Sequence, residues 1–220
     1  KLDLIRKLRN EHFDLVVDLR RSLFPFFLNA KKSNPVFQRN GSRPHAVDGH
    51  LSVLSTMGLP ISFQTPFPLF NERDSENAKK LFLAEGFGFS EPYVVVAPGA
   101  RSHLKRWSDE SYHTLMRLLG ERFDMPLVLV GDGSEKAIAE KVRENLNHRV
   151  LDLCGKTTVR ELAFVLAHAE LVVTNDSATL HLADQQARPV IAIFGPTDEK
   201  RYGPRNPGGF NYKEYLARQK

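Results

Sequence analysis

From residue 93 to residue 194 the chain repeats one short unit: a few apolar residues, a polar or glycine-bearing turn, then an amphipathic helix. The spacing predicts strands at Tyr93–Ala97, Leu127–Val130, Val150–Leu153, Leu171–Thr174 and Val190–Phe194, with helices over 108–120, 134–146, 158–168 and 178–187. Strands that are apolar throughout must be buried on both faces. Alternation with helices then joins them by right-handed crossovers into a parallel sheet. Residues 76–206 are therefore expected to form a doubly wound, Rossmann-like α/β domain.

Upstream the signal is shorter. LDLIRKL (2–8) and HAVDGHLSVLSTMGL (45–59) carry apolar residues at helical spacing, the second with Gly58 near its stop, and DLVVDL (14–19) is an apolar run of strand length. Residues 1–60 thus read as about half of an α/β domain. Residues 61–75, ISFQTPFPLFNERDS, hold two prolines and no regular apolar period, and read as a linker. Residues 207–220 read as a tail or as the start of a crossover helix.

Composition narrows the function classes. With 41% hydrophobic and 26% charged residues the chain is globular rather than disordered. One cysteine, Cys154, excludes an intrachain disulfide and a cysteine zinc cluster, and points to a reducing compartment. No apolar run approaches the roughly 18–20 residues of a membrane span, and KLDLIRKLRN has no signal core. A membrane-integral or exported protein is not expected. Lys rather than Met stands at position 1, so the chain is expected not to begin where its gene does. Residues 1–60 hold ten Lys or Arg against five Asp or Glu, whereas 61–220 hold twenty-one of each, so the whole net charge of +5 lies in the first part. Such a field favours anionic partners. Without interleaved stacking aromatics, nucleic acid is the least favoured of them.

In a doubly wound sheet the ligand lies beyond the carboxyl ends of the strands. The first predicted strand is followed by Pro98-Gly99-Ala100-Arg101-Ser102-His103-Leu104-Lys105-Arg106-Trp107, where Gly99 permits close backbone approach and Lys105 can place a point charge on a phosphate. Gly131-Asp132-Gly133-Ser134-Glu135 offers carboxylates to ribose hydroxyls, and Cys154-Gly155-Lys156-Thr157-Thr158 follows the third strand. The fourth turn, Asn175-Asp176-Ser177-Ala178-Thr179-Leu180-His181, opens a helix whose N–H groups and dipole favour an anion such as pyrophosphate. Asp176 or Ser177 taken singly also fits a plain N-cap, and His181 a packing residue. Their convergence with Lys105 at neighbouring strand ends favours a site. Gly195-Pro196-Thr197-Asp198 adds a polar turn at the same rim.

Competing motifs are absent from the sequence. There is no G-x-G-x-x-G between strand and helix, no G-x-x-x-x-G-K-[ST], no H-E-x-x-H and no G-x-S-x-G. No dinucleotide cofactor and no protein-bound metal is expected.

The stretches APGARSHLKRW, VLVGDGSE, DLCGKTTVRELAFVLAHAELVVTNDSATLHLA and PVIAIFGPTD together resemble the carboxyl-terminal half of glycosyltransferase family 9, the ADP-heptose:lipopolysaccharide heptosyltransferases. The resemblance runs over 76–206 and continues more weakly through DLVVDLRRS and HAVDGHLSVLSTMG. It implies a GT-B fold of two facing Rossmann-like domains, the first incomplete here, with sugar nucleotide held mainly by the second and acceptor by the first. It implies further that Lys105 contacts the phosphates, Glu135 the ribose and Thr157 the adenosine pocket. Asp176, Ser177, Ala178 and His181 would then meet the diphosphate and sugar. Where the family usually has Gly, this chain has Ala178, which is strained if the turn needs positive φ.

The resemblance also implies inverting, metal-independent heptosyl transfer from ADP-heptose to the inner core of lipopolysaccharide, with no cofactor. The partner is an anionic lipopolysaccharide precursor, reached from the cytoplasm at the inner face of the inner membrane by peripheral contact. In the family, roughly seventy further amino-terminal residues carry the first strand and an aspartate general base, about half a typical domain. Their absence here implies a fragment or a degenerate product. Asp18 is the one candidate substitute base, and Arg20, Arg21 and Ser22 are candidate acceptor contacts. A transferase for another nucleotide sugar and a non-catalytic nucleotide-binding fragment stay open as alternatives.

Overall fold

A computed structural model describes residues 2–20, 22–34, 45–61 and 69–213. The chain divides into two compact units, residues 1–63 and 64–220.

The first unit contains α1 (Leu2–Arg9), β1 (Leu15–Val16), a 3-10 turn (Phe24–Leu28), β2 (Lys32–Ser33) and α2 (Ala46–Thr56). The strand expected over 14–19 narrows to two residues, because β2 pairs with it, in parallel, only at Leu15↔Lys32 and Val16↔Ser33. The expected stop of α2 is in place, with Gly58 at φ +68°, a conformation that favours glycine.

The second unit is one six-stranded sheet. Its elements run α3 (Glu72–Ala84), β3 (Val94–Ala97), α4 (Asp109–Arg122), β4 (Leu127–Leu129), α5 (Lys136–Arg143), β5 (Val150–Asp152), α6 (Val159–Ala167), β6 (Leu171–Asn175), α7 (Ala178–Gln185), β7 (Val190–Phe194), α8 (Glu199–Tyr202) and β8 (Gly209–Lys213). All neighbouring pairs are parallel and the order is β5-β4-β3-β6-β7-β8. The five predicted strands and four predicted helices all form, within a few residues of their expected ends. Two cores flank the sheet. Val95, Ala97, Val128, Phe164 and Leu180 pack on one side, and Val94, Val96, Tyr112, Met116 and Leu129 on the other. This is why strands such as VVVA carry no polar alternation, and each such buried Val contributes about 1.5–3 kcal/mol.

Two expectations are corrected. The linker does not extend to residue 75: Asn71 caps α3 reciprocally with Asp74, each side chain accepting the other's N–H at 3.0 Å. That helix buries only Ala78 and Phe82, too narrow an apolar stripe to show in the sequence. Residues 209–213 are neither tail nor helix. They form β8, an outer strand in register with the whole of β7 from Val190↔Gly209 to Phe194↔Lys213.

Candidate functional site

The strand order reverses between β3 and β6, which lie side by side with Ala97 opposite Thr174. At such a switch point the loops leave in opposite directions and open a crevice beyond the strand ends. A cavity of about 1120 Å³ occupies that place, lined by the loops after β3, β4, β5 and β6. Gly99, Lys105, Glu135, Thr157, Asp176, Ser177, Ala178 and His181 all line it. The turn after β7 does not line the cavity: Asp198 caps α8 by accepting the Lys200 N–H, and Gly195 backs the Lys105 loop.

The Lys105 ammonium donates to Asp176 Oδ2 at 2.7 Å. Asp176 is 4% exposed and Lys105 35%, so the pair turns a buried carboxylate toward a half-open cation. Removing Lys105 would leave the buried Asp176 carboxylate without its counter-ion, whereas the half-open ammonium can still reach water. Glu135 is placed by its own turn. Its Oε2 accepts the Asp132 N–H at 2.9 Å while Asp132 Oδ1 accepts the Ser134 N–H at 2.7 Å and hydroxyl at 2.5 Å. The close approach that Gly99 allows is that of this carboxylate, since a Cβ at 99 would overlap it. The Ser134 hydroxyl, then its N–H, hold the Asp132 carboxyl below its ordinary range, so it is ionised at the cavity wall near neutral pH.

Neither Asp176 nor Ser177 caps α7 with its side chain: Asp176 is committed to Lys105, and Ser177 Oγ lies 3.2 Å from Thr174 Oγ1. The first N–H groups of α7 are left without side-chain caps at the cavity, an arrangement that favours an anion. Ala178 begins the helix and has no positive φ, so the expected strain is absent. His181, one turn in, is exposed and reaches the same cavity.

In the first unit, Asp18 accepts from Ser22 Oγ at 2.5 Å, from the Ser22 N–H at 2.7 Å and from the Arg20 N–H at 2.9 Å. The Ser22 hydroxyl bond, with the two N–H bonds, pulls its pKa below the usual carboxylate value. Asp18 is thus the cap of its own loop, a weak proton acceptor, and the Ser22 hydroxyl is spent on it. The Arg20 side chain belongs to an exposed residue, and Arg21 lies outside the described residues.

Sequence reasoning gave no role to several lining groups: Arg101 and Arg106, which add cations, His103, and Val159 and Leu162, which supply an apolar wall. It quoted Asn175 as the first residue of the fourth turn but gave it no role; the residue is buried at the end of β6.

A parallel sheet with a polar cavity at its switch point, lined by Arg101, Lys105 and Arg106 and by Asp132, Glu135 and Asp176, defines a doubly wound α/β protein with the crevice where such folds bind ligands. Comparison with known proteins narrows the class: the profile of glycosyltransferase family 9 (heptosyltransferase) matches residues 1–212, and the chain belongs to that family. It is 27% identical over 226 residues to lipopolysaccharide heptosyltransferase 3 of Escherichia coli K12, covering 92% of this chain and 64% of that protein. The chain therefore spans about two thirds of that relative's length. A family 9 glycosyl transferase from Veillonella parvula superimposes with a TM-score of 0.81 at 19% identity, over 96% of this chain and 66% of that one. The Escherichia coli ADP-heptose lps heptosyltransferase II does so with a TM-score of 0.73 at 19% identity, over 96% and 71%. The fold is that of these GT-B structures.

Proposed function

We propose that the second unit binds the ADP part of ADP-heptose and that the protein transfers the heptosyl group to the inner core of a lipopolysaccharide precursor. One observation carries this reading: eight residues expected to hold a sugar nucleotide come from four separate strand-end loops and line a single cavity at the switch point. ADP-heptose is the donor named for the Escherichia coli heptosyltransferase II, and membership of the same family supports the reading of the same donor here.

On this reading the diphosphate lies at the start of α7 with Lys105 beside it, the ribose hydroxyls at Glu135, and the base against Thr157 and Leu162. The reaction is one displacement with inversion. The acceptor hydroxyl oxygen bonds to the anomeric carbon, the bond from that carbon to the phosphate oxygen breaks, and ADP leaves with the electron pair. Lys105, the α7 N–H groups and His181 neutralise the charge that develops on the leaving phosphate, in place of a resident metal. The acceptor proton passes to a carboxylate base. Asp18, bonded three ways into its own loop, is poorly suited to accept it. The base is assigned instead to the part of the relatives' length that this chain does not span.

The basic first unit, carrying all of the net +5, suits an anionic lipid-linked acceptor at the inner face of the inner membrane. Among the described residues no helix is long and apolar enough to cross a membrane, so contact there is peripheral on this reading.

Calorimetric titration with ADP, UDP, GDP and NAD tests the donor site. Selective ADP binding is expected, weakened by about 1.5–3 kcal/mol in Lys105→Ala, the worth of a hydrogen bond to a charged group. Tighter binding of UDP or GDP would replace the heptose donor by another nucleotide sugar. An unchanged dissociation constant in the variant would remove Lys105 from the site.

A further inference from the structure

We propose that Asn175 is a positioning residue: its side-chain amide locks both ends of the loop that carries Lys105 onto β6, and so fixes where the ammonium meets the ligand. The inference rests on the reading of this cavity as a donor-diphosphate site.

Asn175 is completely buried at the last position of β6. Its Nδ2 donates to the Pro98 carbonyl at 2.8 Å and to the Gly99 carbonyl at 3.1 Å, while Oδ1 accepts the Trp107 N–H at 3.0 Å. Two carbonyls can only accept and an N–H can only donate, so the amide has one orientation. Pro98 and Gly99 begin the loop and Trp107 ends it. One side chain thus closes the loop into a ring, with Lys105 on its 3-10 turn His103–Lys105.

The ring is held from other directions too. Arg106 Nε donates to the Ala100 carbonyl at 2.7 Å across it. Gly195 lets it sit against the end of β7, since a Cβ there would fall 2.7 Å from the Leu104 carbonyl oxygen and 3.9 Å from Lys105 Cα. Two consecutive residues therefore have separate roles, in which Asn175 sets the backbone of the loop and Asp176 sets the ammonium at its tip. A pre-set cation contributes more to binding than a free one, because less rotamer freedom is lost when the ligand arrives. An amide that merely satisfied buried backbone groups would stabilise the fold without acting through Lys105.

The test is a double-mutant cycle on the whole chain, read by titration with ADP and with adenosine, with a thermal melt of each variant. Asn175→Ala is expected to weaken ADP about tenfold, the size of one lost hydrogen bond to a charged group, and to leave adenosine binding unchanged. In the Lys105→Ala background it should cause no further loss of ADP affinity. Equal losses for ADP and adenosine, or a fully additive double variant, would overturn the proposal and leave Asn175 a structural residue. Should Asn175→Ala not fold, Gly195→Ala pushes the same loop from its other side. An ADP-selective loss that vanishes without Lys105 supports the proposal, and unchanged ADP affinity overturns it. Wild-type protein that binds no ADP would instead defeat the donor-site reading itself and this inference with it.

Discussion

Helices α6 and α7 both leave the carboxyl rim of one sheet and open on one cavity, yet they begin in opposite ways. At α6, Thr158 Oγ1 accepts the Glu161 N–H at 3.2 Å and Glu161 Oε2 accepts the Thr158 N–H at 2.7 Å, while Glu161 Oε1 accepts from Asn77 at 3.1 Å. That start is sealed by its own side chains. At α7 the residue in the capping position, Ser177, makes no such bond, and Asp176 has turned to Lys105. The neighbours α4 and α8 are capped by Ser108 and Asp198. A capped start stabilises the fold; an uncapped one keeps donors for a ligand, at a cost of about 0.5–2 kcal/mol in stability. The contrast distinguishes a helix serving the architecture from one serving the site.

The contrast can be broken at either helix. Ser177→Asp places a carboxylate where the diphosphate is read to lie, and should weaken ADP by about 1–4 kcal/mol, the Coulomb scale for like charges ~4 Å apart near a surface. Titration measures it, and equal affinity would move the diphosphate away from α7. At α6, Glu161→Ala removes the reciprocal cap and the acceptor of the half-buried Asn77 amide, and should cost roughly 0.5–2 kcal/mol in denaturant unfolding. Glu161 does not line the cavity, so ADP affinity should hold; a matching loss of affinity would erase the distinction between the two starts.

A third start sharpens it. Asp132 caps its turn while also facing the cavity, and its pKa is lowered in the fold. Its contribution is therefore complete above the ordinary carboxylate pKa of about 3.9 and fades as pH falls through the lower folded value. Because Asp132 is largely exposed, Asp132→Asn should flatten stability against pH below about 4 by only a few tenths of a kcal/mol. Acid unfolding curves identical to wild type would leave that cap without energetic weight.

Much of the second unit was legible because both faces of its sheet are buried. Runs such as VVVA and VIAIF can be little else between amphipathic helices. The helix α3 was not legible, since its start depends on the Asn71–Asp74 exchange and its buried face on two residues. Strand β8 was not, because an outer strand with exposed Phe210 and Tyr212 resembles a tail until β7 is there to pair with it. In the first unit the run over 14–19 overstated β1, because strand length is set by the partner available, and β2 offers two residues.

The order of elements, the handedness of their connections and the polar turns at the strand ends were written in the local pattern of residues, since apolar period and turn chemistry act within a few positions. Partnership was not. That Asp176 would take the Lys105 ammonium rather than cap α7, across 71 residues, followed only from β3 and β6 lying side by side. The same adjacency gave Asn175 two carbonyls and an N–H that no local rule assigns to it. Hydrogen bonds and ion pairs are decided by distances of about 3 Å, and such distances between remote residues exist only once the sheet has formed.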